Sequence, residues 1–288
     1  MLRRLKKQKI VLKSLQIHAT HLCNLSCSSC NAFSQFKIKG SLDADTLSTW
    51  LKKWEPRVHL EKICLLGGEP TLNPELIDLI RTVYRFFPKK STQKVLFTNG
   101  FYLKNHSGLE KVLRDCQFEL RLTVHSDEPH YLSRILPIIE ECKRWEGVSF
   151  LVYNGSGKNI DGIEFREEKW TKRYHETEGK VVPFEDKNPR SSWEKCPSKF
   201  SMQLHDGRIW KCPMITYLRL LKPEVRQDPA WEPYMKYQGI GPDCTDKELL
   251  DFSLREDEEI CGMCPSKRID FSKGNPLPKR PKMSSYEG

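Results

Sequence analysis

Through the first half of the chain, short apolar runs alternate with segments whose apolar residues recur every three or four positions. That alternation predicts repeated β-α units around a mostly parallel sheet. Strands are expected at 14–20 (SLQIHAT), 60–68 (LEKICLLGG), 94–100 (KVLFTNG), 118–126 (FELRLTVHS) and 148–153 (VSFLVY). Between the first two, Leu47, Trp50, Leu51 and Trp54 fall at i, i+3, i+4 and i+7 behind Asp43, the pattern of a capped helix with one buried stripe. Between the second and third, Asn73 and Pro74 predict a cap and a first-turn proline. The helix behind them is expected to bury Leu76, Ile77, Ile80, Val83, Tyr84 and Phe87 before Pro88 stops it. Residues 107–115 and 128–145 supply the remaining crossovers.

From about residue 155 the pattern turns polar and mixed, with room for one more strand of the barrel but no periodicity that places it. SMQLHDGRIWKC then predicts two short strands around Asp206-Gly207, a type I′ hairpin signal. From Ser272 the chain is rich in Pro, Lys and Gly, which predicts a flexible tail.

Composition narrows the class. A 288-residue chain with 38% hydrophobic residues can bury a large core plus a small appendage. No apolar run approaches the roughly eighteen residues of a membrane span. Lys9 and Lys13 interrupt the basic N-terminus, so a secretory signal is not expected and the chain reads as cytoplasmic. Eleven cysteines in such a chain argue for metal or redox chemistry rather than a disulfide framework. The net charge of +10 is partly concentrated at the two ends. It permits a nucleic-acid partner, although solvated termini account for it more simply.

The chemistry concentrates in ATHLCNLSCSSCNAFS, where Cys23, Cys27 and Cys30 share one short loop after the first strand. Three such thiolates can hold three corners of a zinc tetrahedron or three irons of a cubane. Zinc would require a fourth ligand, which His18 or His21 could provide. Cys64, Cys116 and Cys142 fall in expected strand or helix and read as buried small apolar residues.

The C-x3-C-x2-C loop resembles the signature of the radical S-adenosylmethionine enzymes, and companion motifs follow in order: LLGGEP at 65–70, FTNG at 97–100 and LTVHS at 122–126. The resemblance covers roughly residues 14–155. It implies a partial (β/α)6 TIM-like barrel whose three thiolates hold a [4Fe-4S] cluster, with one iron left for S-adenosylmethionine. It further implies that Gly67, Gly68, Glu69 and Pro70 hold the methionyl amino group, with contacts to the cofactor from Thr98, Asn99, Thr123 and Ser126. His125 is the candidate catalytic base, with Arg121 and Tyr153 as orienting groups. Many members carry an adenine-contacting aromatic just before the third cysteine. That position is Ser29 here, and Phe33 and Tyr153 are the substitutes.

A second set, Cys196, Cys212, Cys261 and Cys264, could by its thiols alone hold zinc or an iron-sulfur cluster, with Cys244 in reserve. Beside the first motif, CPSKFSMQLHDGRIWKC resembles the opening of the family's SPASM and Twitch auxiliary domains, and the absence of cysteines after Cys264 favours the single-cluster Twitch form. The expected organisation is a basic lead (1–13), a core (14–160), a last core element or linker (161–195), a small auxiliary-cluster domain containing the β-hairpin (196–268) and a basic tail (269–288). The function implied is an oxidoreductase of the dehydrogenase type with two [4Fe-4S] clusters and S-adenosylmethionine. It would act on a small polar or sugar-like substrate and take electrons from a flavodoxin or ferredoxin. A peptide-modifying maturase is the nearest alternative, disfavoured because only about fifteen residues precede the first strand, too few for a leader-peptide recognition domain. Nucleic-acid modification and a non-catalytic zinc-binding interaction module follow.

Overall fold

The computed structural model describes residues 8–168 and 170–270. The expected lead and tail therefore fall mostly outside the described residues. Strand β1 (Ile10–Leu12) pairs in parallel with β3 (Val58–Leu60) as a small separate sheet. The main sheet is built on β2 (Leu15–Thr20), β4 (Lys62–Gly67), β5 (Gln93–Thr98), β6 (Phe118–Thr123), β7 (Phe150–Asn154) and β8 (Arg166–Glu167), neighbours in that order and all parallel. Parallel neighbours require crossovers. These contain helices α1 (Ala44–Trp54), α2 (Leu76–Phe86), α3 (Leu109–Asp115) and α4 (Pro129–Cys142).

The expected strands all form. The sixth is only two residues long, and the sheet runs between two edge strands, so the structure is a mixed α/β fold dominated by parallel pairing. Asp43 caps α1 by accepting from the Thr46 amide at 2.7 Å. At Asn73 the boundary shifts but the side-chain bond forms: α2 starts at Leu76, Asn73 Oδ1 accepts from Glu75 N–H at 2.8 Å on the lead into it, and Asn73 also closes a short 3-10 turn, Pro70–Leu72. Its side-chain amide donates to the carbonyls of Ala19 and Leu42, at 2.6 and 2.8 Å, tying the end of β2 to the lead into α1. Leu76, Ile80, Val83 and Phe87 are buried as expected, whereas Ile77 and Tyr84 are partly exposed and Leu79 takes an interior place.

Beyond β8 lie the hairpin of β9 (His175–Thr177), which is exposed, and β10 (Lys180–Val182), which buries Val181, then α5 (Pro189–Lys195). The hairpin expected at Asp206-Gly207 joins β11 (Met202–His205) to β12 (Arg208–Trp210). Both turn residues have positive φ, 51° and 69°, as a type I′ turn requires. The hairpin does not stand apart. β11 adds in parallel to the free edge of β2, so the main sheet has eight strands.

Helices α6 (Pro213–Tyr217), α7 (Glu232–Lys236) and α8 (Asp246–Leu254) follow, and a 3-10 segment, Glu259–Met263, comes after them among the described residues. Two apolar cores result. The larger one lies between the sheet and its helices and takes in Leu249 and Phe252 of α8. The smaller gathers Phe33, Tyr174, Trp210, Tyr217, Trp231 and Tyr234 from the first cysteine loop and the C-terminal half. Among the described residues, no helix is long and apolar enough to cross a membrane.

Candidate functional site

In a parallel sheet every strand ends at the same edge, so residues far apart in sequence meet there. The loop after β2 carries Cys23, Cys27 and Cys30, all half-buried and none in a disulfide. Cys23 lies within the electrostatic reach of the other two thiols and of Glu69. Burial pushes Cys23 and Cys30 well towards the neutral thiol, but backbone amides oppose it: Leu25 N–H donates to Cys23 Sγ at 3.4 Å, and the amides of Ser34, Ala32 and Phe33 face Cys30. Amides aimed at sulfur favour the thiolate, the form that binds metal. The donor set therefore fits a thiolate-held group.

The GGEP turn lies directly against this loop. Gly68 N–H donates to Thr20 O at 2.9 Å, and Glu69 N–H to Leu22 O at 2.7 Å. A Cβ on Gly67 would lie 2.2 Å from Thr20 O, and one on Gly68 2.1 Å from Leu22 O. Within the chain, the close neighbour these glycines allow is the cysteine loop's own backbone. Pro70 follows, buried, at the start of the 3-10 turn.

Glu69 is 1% exposed. Its carboxylate accepts from Thr71 N at 3.0 Å, Thr71 Oγ1 at 2.6 Å, Thr98 Oγ1 at 2.6 Å and Asn99 N at 2.7 Å. Burial raises its pKa, an effect these donors offset only in part. Asn99 Nδ2 donates to Asn24 Oδ1 at 2.7 Å, which joins the end of β5 to the cysteine loop. Thr123 Oγ1 lies 3.5 Å from Glu168 Oε2, and Ser126 Oγ accepts from Glu128 N–H at 3.2 Å.

His125 sits on the first thiol set: Nδ1 is 3.6 Å from Cys27 Sγ, and the ring stacks on Trp170 at 5.5 Å. Burial lowers its pKa to about 4. Arg121 is engaged with Glu119, and Tyr153 is partly exposed beside it. Phe33 is a correction as the substitute for an adenine-contacting ring. It is wholly buried against Tyr174, at 5.0 Å, because it anchors the smaller core. His18 and His21 pack with Tyr217 and His205 in a ring cluster.

The residues that sequence reasoning missed lie in the polar stretch after β8. Trp170 covers His125, and Arg173 N–H donates to Ser29 Oγ at 2.8 Å. Tyr174 OH donates to Cys30 O at 2.9 Å, and Glu176 accepts from the Ser29 amide. The stretch carries no periodic pattern because its contacts are made residue by residue. Its interspersed aromatics, Trp170 and Tyr174, were the available signal.

The four later cysteines are brought together. Cys212 lies within electrostatic reach of Cys196, Cys264 and Cys261, and Cys264 within reach of Cys196; burial, with these neighbours adding, raises the pKa of Cys212 and Cys264. Tyr234 OH is 2.9 Å from Cys264 Sγ, and Arg173 Nη1 is 3.7 Å from Cys196 Sγ. Cys244 is placed with other partners: Arg57 Nη1 donates to its sulfur at 3.4 Å and Nη2 to Asp246 at 2.9 Å. Cys64, Cys116 and Cys142 are buried, as expected. Among the described residues, no three His, Cys, Asp or Glu side chains converge to hold a single metal ion. A cubane, held by one thiolate per iron, does not require them to.

Residues 16–127 match a family described as a 4Fe-4S single cluster domain. The chain is similar to a probable GTP 3′,8-cyclase of Sulfolobus acidocaldarius, 28% identical over 143 residues, which are 46% of this chain and 44% of that protein. It is also similar to the GTP 3′,8-cyclase of Aquifex aeolicus, 28% identical over 41% of this chain and 37% of that one. The aligned region thus spans less than half the length of these relatives. Among solved structures, Streptococcus suis SuiB bound to S-adenosylmethionine aligns over 52% of this chain and 34% of its own, with TM-score 0.40 and 15% identity. AnSMEcpe with bound S-adenosylmethionine and a peptide aligns over 49% and 42%, with TM-score 0.39 and 21% identity.

Proposed function

We propose that this member of the radical S-adenosylmethionine superfamily is a dehydrogenase-type oxidoreductase acting on a small polar or sugar-like alcohol. Cys23, Cys27 and Cys30 would hold the first [4Fe-4S] cluster, and Gly67, Gly68, Glu69, Pro70, Thr98, Asn99, Thr123 and Ser126 would hold S-adenosylmethionine. Cys196, Cys212, Cys261 and Cys264 would hold a second cluster of the Twitch kind. When bound, the first cluster with S-adenosylmethionine supplies a hydrogen-abstracting radical, and the second an acceptor for the electron left on the substrate.

The observation that carries this reading is the gathering of four thiols in the second set. Four thiolates ligate every iron of a cubane and leave none open to substrate, which suits electron transfer. The chain's own groups then have definite tasks. Glu69, pinned by its donors, is ready to receive an ammonium without rearranging. His125, stacked under Trp170 at the end of β6, is the candidate for taking the substrate hydroxyl proton. Glu168, beside Thr123, faces the same edge. Reducing equivalents would come from a flavodoxin- or ferredoxin-type donor.

A second reading, cyclisation of a nucleoside triphosphate, is favoured by the names of the similar proteins. The test is an anaerobic reaction of reconstituted protein with reductant and S-adenosylmethionine. Iron near eight per chain with matching sulfide, and 5′-deoxyadenosine formed together with one carbonyl product from an alcohol panel, is the expected result. Zinc without labile sulfide overturns the assignment of both clusters, and consumption of GTP in place of the alcohols selects the second reading.

A further inference from the structure

Arg173 is 9% exposed, a depth at which a cation requires a compensating anion. Among the described residues it has no carboxylate partner. Its guanidinium is directed instead at the second thiol set: Nη1 donates to Cys196 Sγ at 3.7 Å and Nη2 to Ser198 Oγ at 3.4 Å. Its charge also reaches Cys264, and Arg173, Cys196 and Cys264 line one narrow cleft. Lys211, also close to this set, is paired with Glu258 at 2.8 Å, and Lys172, Lys195, Lys267 and Arg268 share the lining of the cleft. At its main chain Arg173 is fixed to Ser29, inside the first thiol loop, and the next residue, Tyr174, donates to Cys30 O. One buried dipeptide therefore touches both thiol sets.

We infer that Arg173 is the positioning residue of the second cluster: its guanidinium supplies the counter-charge and an N–H···S bond to Cys196 and so raises the reduction potential of that cluster. The inference rests on the two-cluster reading above. A fully thiolate-ligated cubane gains negative charge on reduction, so a fixed positive donor at its sulfur favours the reduced form. Removing the donor disfavours it. No electron source is invoked beyond the reductant of the measurement.

The test is an anaerobic redox titration of the reconstituted full chain, followed by electron paramagnetic resonance, for the wild type, Arg173→Gln and Arg173→Lys. The expected result is two reducible clusters in the wild type. In Arg173→Gln the second cluster has a lower midpoint and the first an unchanged one, and Arg173→Lys falls between. An unchanged second midpoint in Arg173→Gln, or equal shifts of both clusters, overturns the inference while leaving the two-cluster reading intact. A wild type with one cluster overturns that reading itself. If Arg173→Gln takes up no second cluster, Arg173→Lys decides: iron content restored to the wild-type level supports the charge, and content as low as in Arg173→Gln assigns Arg173 to packing and overturns the inference.

Discussion

At Gly68 the chain has no room for a methyl group, because its added Cβ would meet the Leu22 carbonyl carbon at 2.5 Å as well as the oxygen. That carbonyl is backbone, one residue before Cys23, so relief must come from moving the thiol loop. Gly68→Ala is therefore expected to cost about 1–3 kcal/mol in urea unfolding and to lower the iron taken up on reconstitution. Gly108 is the control. It has φ +78° but nothing within 4 Å of an added Cβ, so Gly108→Ala costs about 1 kcal/mol and leaves iron content unchanged. Glu69→Gln presents an amide nitrogen to donors that previously met oxygen. About 1–3 kcal/mol of stability is expected to go, with calorimetric binding of S-adenosylmethionine lost before iron is. The motif was legible as residues in sequence, but its reason was not. Periodicity shows a glycine's permissiveness; only the fold shows that the cysteine loop is what lies against it.

Elements were legible where one physical signal dominated. Alternating apolar runs revealed the five core strands, and Asp206-Gly207 revealed a type I′ turn, since few other residues accept positive φ twice in succession. What the hairpin pairs with was hidden. The apolar alternation of Leu204 and Ile209 says which face is buried, but not that β11 lies along β2, where Gln203 Nε2 donates to Gln16 Oε1 at 2.9 Å. β8 was invisible because two charged residues carry no alternation. Asn73 was legible only in part: its Oδ1 accepts from Glu75 N–H at 2.8 Å on the lead into α2, as a cap would, while its Nδ2 serves two carbonyls distant in sequence. The turn matters to more than its hairpin, since Gly207 O also accepts from Trp54 Nε1 at 2.9 Å. A β-branched residue at this positive φ is strained, and Gly207→Val is expected to cost about 1–3 kcal/mol. Hydrogen exchange should show β11 and the adjoining edge of β2 losing protection together, while β5 and β6 keep theirs.

Across the whole molecule, the C-terminal half serves the N-terminal sheet in three places. β11 covers the edge of β2, and the smaller core encloses Phe33 of the first thiol loop. α8 inserts Leu249 and Phe252 into the larger core, and its first residue, Asp246, pairs with Arg57 at 2.9 Å. An open parallel edge and an uncovered apolar ring are both association hazards. The β-α half is thus not expected to behave as a free unit, although its motifs are continuous in sequence. A chain ended after Lys195 would expose the β2 edge along Leu15, Gln16 and Ile17 and uncover Phe33, which is fully buried in the whole protein. It should elute as oligomers, show weakened near-ultraviolet dichroism from loosened aromatic packing and bind less iron through Cys23, Cys27 and Cys30 than the full chain does. A monomeric 1–195 fragment with native dichroism and a fully loaded first cluster would show instead that the first thiol loop holds its shape without the C-terminal half. The contacts of Ser29 and Cys30 with residues 173–176, all retained in that fragment, would then be sufficient support for it.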